Sequence, residues 1–93
     1  MVHTFSNEFV YVEIYPIKNN SKVLAIMKIF SKRYNILKIL YQYMTPDGIN
    51  SKKMCYIYFI RNVEEYENIR FKLYALLGAK LPRAEKILST NLN

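Results

Sequence analysis

The sequence predicts a single α+β domain in which two helices cover one face of a four-stranded antiparallel sheet. Its 93 residues suffice for one compact core, and 52% of them are hydrophobic. Segments with the period-two alternation of strands occur beside segments whose apolar residues recur at helical spacing. The order of these segments along the chain predicts the topology.

The N-terminal half predicts a strand followed by a helix. Residues 8–15 alternate between β-branched side chains and aromatic or acidic ones, and Pro16 ends the run. Asn20 or Ser21 can cap a helix, because either side chain can accept a hydrogen bond from a free backbone N–H group. The apolar residues that follow recur at helical spacing, so we expect a helix from there to about residue 34.

The C-terminal half predicts a hairpin, a helix and a short last strand. Residues 36–44 and 54–60 have strand-like patterns and are separated by a Thr-Pro-Asp-Gly turn. Residues 63–77 carry an apolar stripe with two glutamates in the first turn and Gly78 as a stop. Residues 86–89 can add a short strand, and residues 1–7 and 90–93 are expected to be flexible tails. The resulting βαββα(β) order is that of a ferredoxin-like sandwich.

Strand alternation also predicts an aromatic sheet face that the helices leave open. If Val10, Val12, Ile14, Cys55, Ile57 and Phe59 point to the helices, their neighbours point the other way. These neighbours are Tyr11, Tyr15, Met54, Tyr56, Tyr58 and Ile60. So much aromatic area is expected to be covered by another subunit, a nucleic acid or a partner, or by loops and tails of the same chain.

The formal net charge is +7 at pH 7, which attracts nucleic acid, anionic ligands or an acidic partner. The densest basic pairs are Lys32-Arg33 and Lys52-Lys53, and a solvated basic surface is the alternative interpretation.

Cys55 is the single cysteine, so an intramolecular disulfide is excluded and a reducing cytoplasm is the expected compartment. The longest apolar run is too short to span a bilayer, and we expect no membrane insertion or export.

The residue types that support common catalytic sites are scarce. His3 is the only histidine, and Gly48 and Gly78 are the only glycines, so a metal-binding cluster and a glycine-rich phosphate loop are not indicated. We therefore expect no catalytic residues, no metal and no cofactor, and predict that the protein is not an enzyme.

Residues 10–81 resemble an ACT domain. The resemblance rests on Asn19-Asn20-Ser21-Lys22 at a strand–helix turn, Val23-Leu24-Ala25 at a helix opening, and Phe30 to Ile36 at the next junction. It implies a stand-alone regulatory module that binds a small, amino-acid-like effector and acts through partner proteins. By position, the ligand contacts would be Asn19, Asn20, Ser21, Lys22, Asn35 and Ile36. The family also implies a homodimer, joined through a sheet edge or the open sheet face.

The same span is similar to an RNA-recognition motif. Val10-Tyr11-Val12 resembles its first-strand motif, and the run from Lys52 to Phe59 resembles its basic and aromatic third-strand motif. This resemblance implies binding of single-stranded nucleic acid by base stacking on Tyr11 and Tyr56, with Tyr58 beside them and Lys52 on phosphate. The effector-binding regulator is the first functional hypothesis, and nucleic-acid binding is the alternative.

Overall fold

The computed structural model describes residues 1–92, and the side chains of residues 1–88. The elements are β1 His3–Ser6, β2 Val10–Pro16, β3 Ala25–Ser31, α1 Tyr34–Tyr43, β4 Gly48–Asn50, a 3₁₀ turn Ser51–Lys53, β5 Cys55–Ile60, α2 Val63–Leu77 and α3 Ala84–Leu92. The five strands form one sheet in the order β1-β2-β3-β5-β4, and every neighbouring pair is antiparallel.

The α+β class and the antiparallel sheet agree with the prediction, but the topology does not. The sheet has five strands rather than four, and its strands come in two groups separated by α1. The predicted βαββα(β) order is therefore wrong. His3–Ser6, expected in a flexible tail, pairs with β2 as an edge strand. Of the other expected tail, residues 90–92 belong to α3, and residue 93 lies outside the described residues.

The predicted helix over residues 20–34 is wrong, because the middle of this segment forms β3 at the centre of the sheet. Ala25, Met27 and Ile29 are buried, and the residues between them are half-buried on the opposite face. β3 pairs with β2 on one side and β5 on the other, and both of its faces contain apolar side chains, with Ile26 and Phe30 on the half-buried face. Because apolar residues lie on both faces of this strand, some of them also recur at the spacing of a helix by coincidence.

The predicted strand over residues 36–44 is also wrong, because α1 occupies this position. Ile36, Leu37 and Leu40 are buried, and this spacing places them on one face of a helix. Leucine, lysine and glutamine, which together make up four of the ten residues of α1, all favour helix.

The predicted helix over residues 63–77 is confirmed as α2, and its ends have well-defined caps. The Asn62 side chain accepts a hydrogen bond of 2.8 Å from the Glu65 N–H group. At the other end Gly78 adopts a φ of +65° that glycine tolerates without strain. The predicted strand over residues 86–89 is wrong: Ala84, Ile87 and Leu88 are buried at helical spacing in α3.

One face of the sheet packs against the helices and forms the core, with α1 on β3, α2 on β5 and α3 on β2. The β2 residues predicted to face the helices are buried, as expected. The prediction for β5 is reversed, because its pairing with β3 aligns Tyr56 with Ile29 and Tyr58 with Met27. The core side chains that the sheet contributes are Val10, Val12, Ile14, Ala25, Met27, Ile29, Tyr56, Tyr58 and Ile60.

Candidate nucleic-acid interface

The opposite face of the sheet has no described helix packed on it, and its side chains follow three cross-strand rows. Strand pairing puts residues from β2, β3 and β5 side by side in each row. The rows are Tyr11–Phe30–Cys55, Glu13–Lys28–Ile57 and Tyr15–Ile26–Phe59. We call these nine residues the open face.

A carboxylate, an amine and two phenols lie at the centre of the open face. The hydroxyls of Tyr11 and Tyr15 donate to the Glu13 carboxylate at 3.2 and 2.8 Å. Lys28 is the cross-strand partner of Glu13, and its Nζ lies 5.1 Å from the centre of the Tyr15 ring. The pKa of Tyr11 is raised mainly by desolvation and then by its hydrogen bond to Glu13. The pKa of Tyr15 is raised mainly by its hydrogen bond to Glu13 and then by desolvation. Both phenols are therefore neutral donors at physiological pH.

Aromatic rings flank this polar centre. Tyr11 and Phe30 form a tilted pair with ring centroids 5.7 Å apart and an interplanar angle of 42°. Phe59, at the other end of the face, is 38% exposed. Flat apolar surface beside hydrogen-bonding groups can contact a base by stacking and by its edge.

Basic residues border the open face at both ends of the strands. At one end, Lys32 and Arg33 follow β3, and Lys52 and Lys53 lie in the 3₁₀ turn that leads to β5. We call these four residues the basic end. The Lys32 ammonium donates to Ser6 Oγ at 2.9 Å and to the Asn7 carbonyl at 2.5 Å, which holds it beside the β1–β2 turn. At the opposite end, the β2–β3 loop carries Lys18 and Lys22.

The charge is concentrated on the sheet side of the molecule. The strands with their connecting loops, residues 1–33 and 48–60, hold seven basic and two acidic residues, a net charge of +5. The rest of the chain holds seven basic and five acidic residues, a net charge of +2. Within residues 1–92, the ion pairs are those of Arg61 with Asp47 and Glu65, and of Arg70 with Glu67. No cation of the sheet side belongs to one of these ion pairs, so none of their charges is neutralised by a contacting carboxylate of the described residues.

The residues predicted to hold an effector are not brought together within one subunit. Asn19, Asn20, Ser21 and Lys22 lie in the β2–β3 loop, where Asn20 Oδ1 accepts from the Lys22 and Val23 N–H groups at 2.8 and 3.2 Å. Asn35 and Ile36 lie in α1, beyond the other end of β3, and Ile36 is buried. The seven residues of β3 separate the two groups by about 20 Å.

Two of the four residues predicted to contact nucleic acid lie on the open face or next to it. Tyr11 belongs to the open face, and Lys52 is exposed at the basic end. Tyr56 and Tyr58 are buried on the helix side, and Tyr58 donates to the Met44 carbonyl at 2.7 Å, so neither ring can form the predicted platform. Sequence analysis missed Glu13, Lys28 and Phe30; the alternation of residues 25–31 was the signal that could have identified the last two.

Comparisons with known proteins give no relative. No family model, curated protein or solved structure matches this chain. Within residues 1–92, no helix is long and apolar enough to cross a membrane. The same residues contain no group of three or more histidine, cysteine or acidic side chains that could hold a metal ion.

Proposed function

We propose that this protein binds nucleic acid through the open face and the basic residues at its ends. The observation that carries the proposal is an aromatic and polar sheet face on which no described helix packs. It is bordered at both ends by lysine and arginine side chains without ion-pair partners among the described residues. Phosphates supply most of the affinity for such a surface, and bases supply its selectivity.

The arrangement assigns a different task to each part of the surface. Lys32, Arg33, Lys52 and Lys53 attract phosphates at the basic end. The Tyr11–Phe30 pair provides ring surface on which a base can stack. Glu13 repels phosphates from the centre of the face and can accept a hydrogen bond from an amino group on a base edge.

Charge-reversal variants test the proposal. We expect Lys52→Glu/Lys53→Glu to weaken binding of a fluorescent oligonucleotide. The slope of log affinity against log salt should also become shallower, by about 0.7–0.9 for each phosphate that the variant no longer neutralises. The matched control is Lys80→Glu/Lys86→Glu, which changes the net charge equally on the helix side, where both residues are exposed. Equal losses of affinity in both variants would mean that binding depends on the net charge of the protein and not on where the lysines lie. This result would contradict a defined interface.

Variants of the aromatic pair test the role of stacking. We expect Tyr11→Ala and Phe30→Ala each to cost about 1–3 kcal/mol of binding free energy if one base stacks across both rings. The double variant should then cost little more than either single variant, because either change already disrupts the platform. Unchanged affinity in both single variants would rule out stacking at this pair.

Regulation by a small effector at a homodimer interface stays a prediction. The six residues implied by the resemblance are divided between the two ends of the sheet, so one subunit does not present them to one ligand. Light scattering combined with a thermal-shift screen of amino acids tests this hypothesis. A dimer whose melting temperature rises with an amino acid would favour it over nucleic-acid binding.

A further inference from the structure

A small pocket lies on the helix side of β4, where α1 begins. Its volume is about 210 Å³, and its lining includes Tyr34 and Lys38 from α1, Ile49 and Ser51 from β4 and the turn, and Tyr56 from β5. Pockets for drug-sized ligands are typically about 300–1,000 Å³, so this one suits a single ring system.

One lining residue has an unused hydrogen-bonding group. Tyr56 is only 7% exposed, yet its hydroxyl makes no hydrogen bond with any described residue. The two other buried tyrosines both donate to a backbone carbonyl: Tyr58 to Met44 at 2.7 Å, and Tyr66 to Pro82 at 2.5 Å. No fully buried side-chain oxygen or nitrogen of the described residues lacks a partner, so the Tyr56 hydroxyl keeps some exposed surface, and Tyr56 lines the pocket. It can therefore bond to whatever enters there.

The surroundings of the pocket are aromatic and basic. Tyr34 is 67% exposed, and Lys38 Nζ lies 5.5 Å from the centre of its ring. Lys52 and Lys53 directly follow Ser51, and neither residues 14–46 nor residues 48–63 include an acidic side chain. A second copy of the chain would bring the same positive charge to this surface. The complementary occupant is therefore a flat ring joined to a negative charge.

We infer that this pocket binds the base of one unpaired nucleotide. Tyr34 offers an exposed ring for stacking, the Tyr56 hydroxyl can donate to an acceptor on the base edge, and Lys38 and Lys52 are close enough in the fold to attract the flanking phosphates. The inference rests on the proposed function. It adds that the nucleic acid contains a single-stranded nucleotide, which leaves the open face at the basic end and reaches the pocket beside β4.

The test uses a single strand of about 12 nucleotides with one 2-aminopurine, and the same sequence as a duplex. For the wild type, we expect salt-dependent binding with a change in 2-aminopurine fluorescence that the duplex does not show. We expect Tyr34→Ala to weaken single-strand binding roughly 5- to 150-fold, and Tyr56→Phe, which removes only the hydroxyl, roughly two- to tenfold. Both variants should lose most of the fluorescence change.

Two further variants make the result specific to the pocket. Tyr43→Ala removes an exposed tyrosine from the same helix outside the pocket, and should change the affinity less than twofold. Ile49→Trp fills the pocket from an exposed position without removing a hydrogen bond, and should reproduce the Tyr34→Ala defect.

The outcomes separate the two proposals. Salt-dependent binding that Tyr34→Ala, Tyr56→Phe and Ile49→Trp leave unchanged would overturn the pocket inference and leave the proposed function intact. Equal fluorescence changes with the single strand and the duplex would also overturn it. If the wild type shows no salt-dependent binding of either nucleic acid, the proposed function itself fails.

Discussion

Replacing Glu13 with glutamine should strengthen binding of nucleic acid. The carboxylate is the acidic group at the centre of the open face, opposite Lys28 and bonded to two tyrosine hydroxyls. Glutamine has nearly the same shape and keeps an acceptor for one of these hydroxyls, so we expect the fold to be retained.

The size of the effect follows from electrostatics. A phosphate held about 7 Å from a carboxylate is repelled by roughly 0.6 kcal/mol at the dielectric constant of water. Removing the charge should therefore raise the affinity about threefold if one phosphate lies at this distance, and about eightfold if two do. The gain should shrink at high salt, because the Debye length falls to about 8 Å at physiological ionic strength.

Fluorescence anisotropy with a thymine homopolymer is the suitable assay, because thymine has no exocyclic amino group that could donate to Glu13. The control is Glu64→Gln, which removes an equal charge from an exposed position on α2. Unchanged or weaker binding by Glu13→Gln at low salt, or an equal gain in the control, would refute placement of the nucleic acid on the open face.

Three stability predictions follow from the core and the caps. Tyr58→Phe should lower the free energy of unfolding by about 1–2 kcal/mol, because the Met44 carbonyl loses a buried donor, and the melting temperature should fall by about 4–8 °C per kcal/mol. Burial raises the pKa of Tyr58 and Tyr66 above the ordinary tyrosine value of 10.0. Their neutral forms therefore stabilise the fold fully below about pH 10, and this stability is lost as the pH rises above that value. Circular dichroism and tyrosinate absorbance should change together in alkali. Asn62→Ala should cost about 1 kcal/mol in urea denaturation, because the Glu65 N–H group loses its cap; an unchanged midpoint would contradict this role.

The accuracy of the sequence predictions depends on whether local chemistry determines the element. α2 was predicted with its observed bounds because Asn62, the glutamates of the first turn and Gly78 define its ends locally. The segment over residues 20–44 was mispredicted because β3 is a central strand with apolar side chains on both faces, and its spacing also fits a helix. The alternation within residues 25–31 favours a strand but does not exclude a helix, and the pairing with β2 and β5 that decides between them is not local.

The candidate site was predicted in part for the same reason. Tyr11 was assigned to the open face because β2 has one clearly apolar face. Lys28 and Phe30 could not be assigned to it while their segment was interpreted as a helix. The pairs Lys32-Arg33 and Lys52-Lys53 stand out in the sequence, but their meeting at one end of the sheet depends on the order of β3 and β5.

Which set of β5 side chains points to the helices determines where the tyrosines of this strand can act. A one-residue change of register exchanges the two faces of a strand, so the apolar run Cys55–Ile60 could present either set of side chains to the helices. Its pairing with β3 sends the two hydroxyl-bearing residues inward. Tyr58 can be buried because the Met44 carbonyl satisfies its hydroxyl, but Tyr56 has no such partner among the described residues. The inward orientation that removes Tyr56 from the open face therefore places Tyr56 in the lining of the pocket beside α1, where an unbonded hydroxyl can serve recognition instead of packing alone.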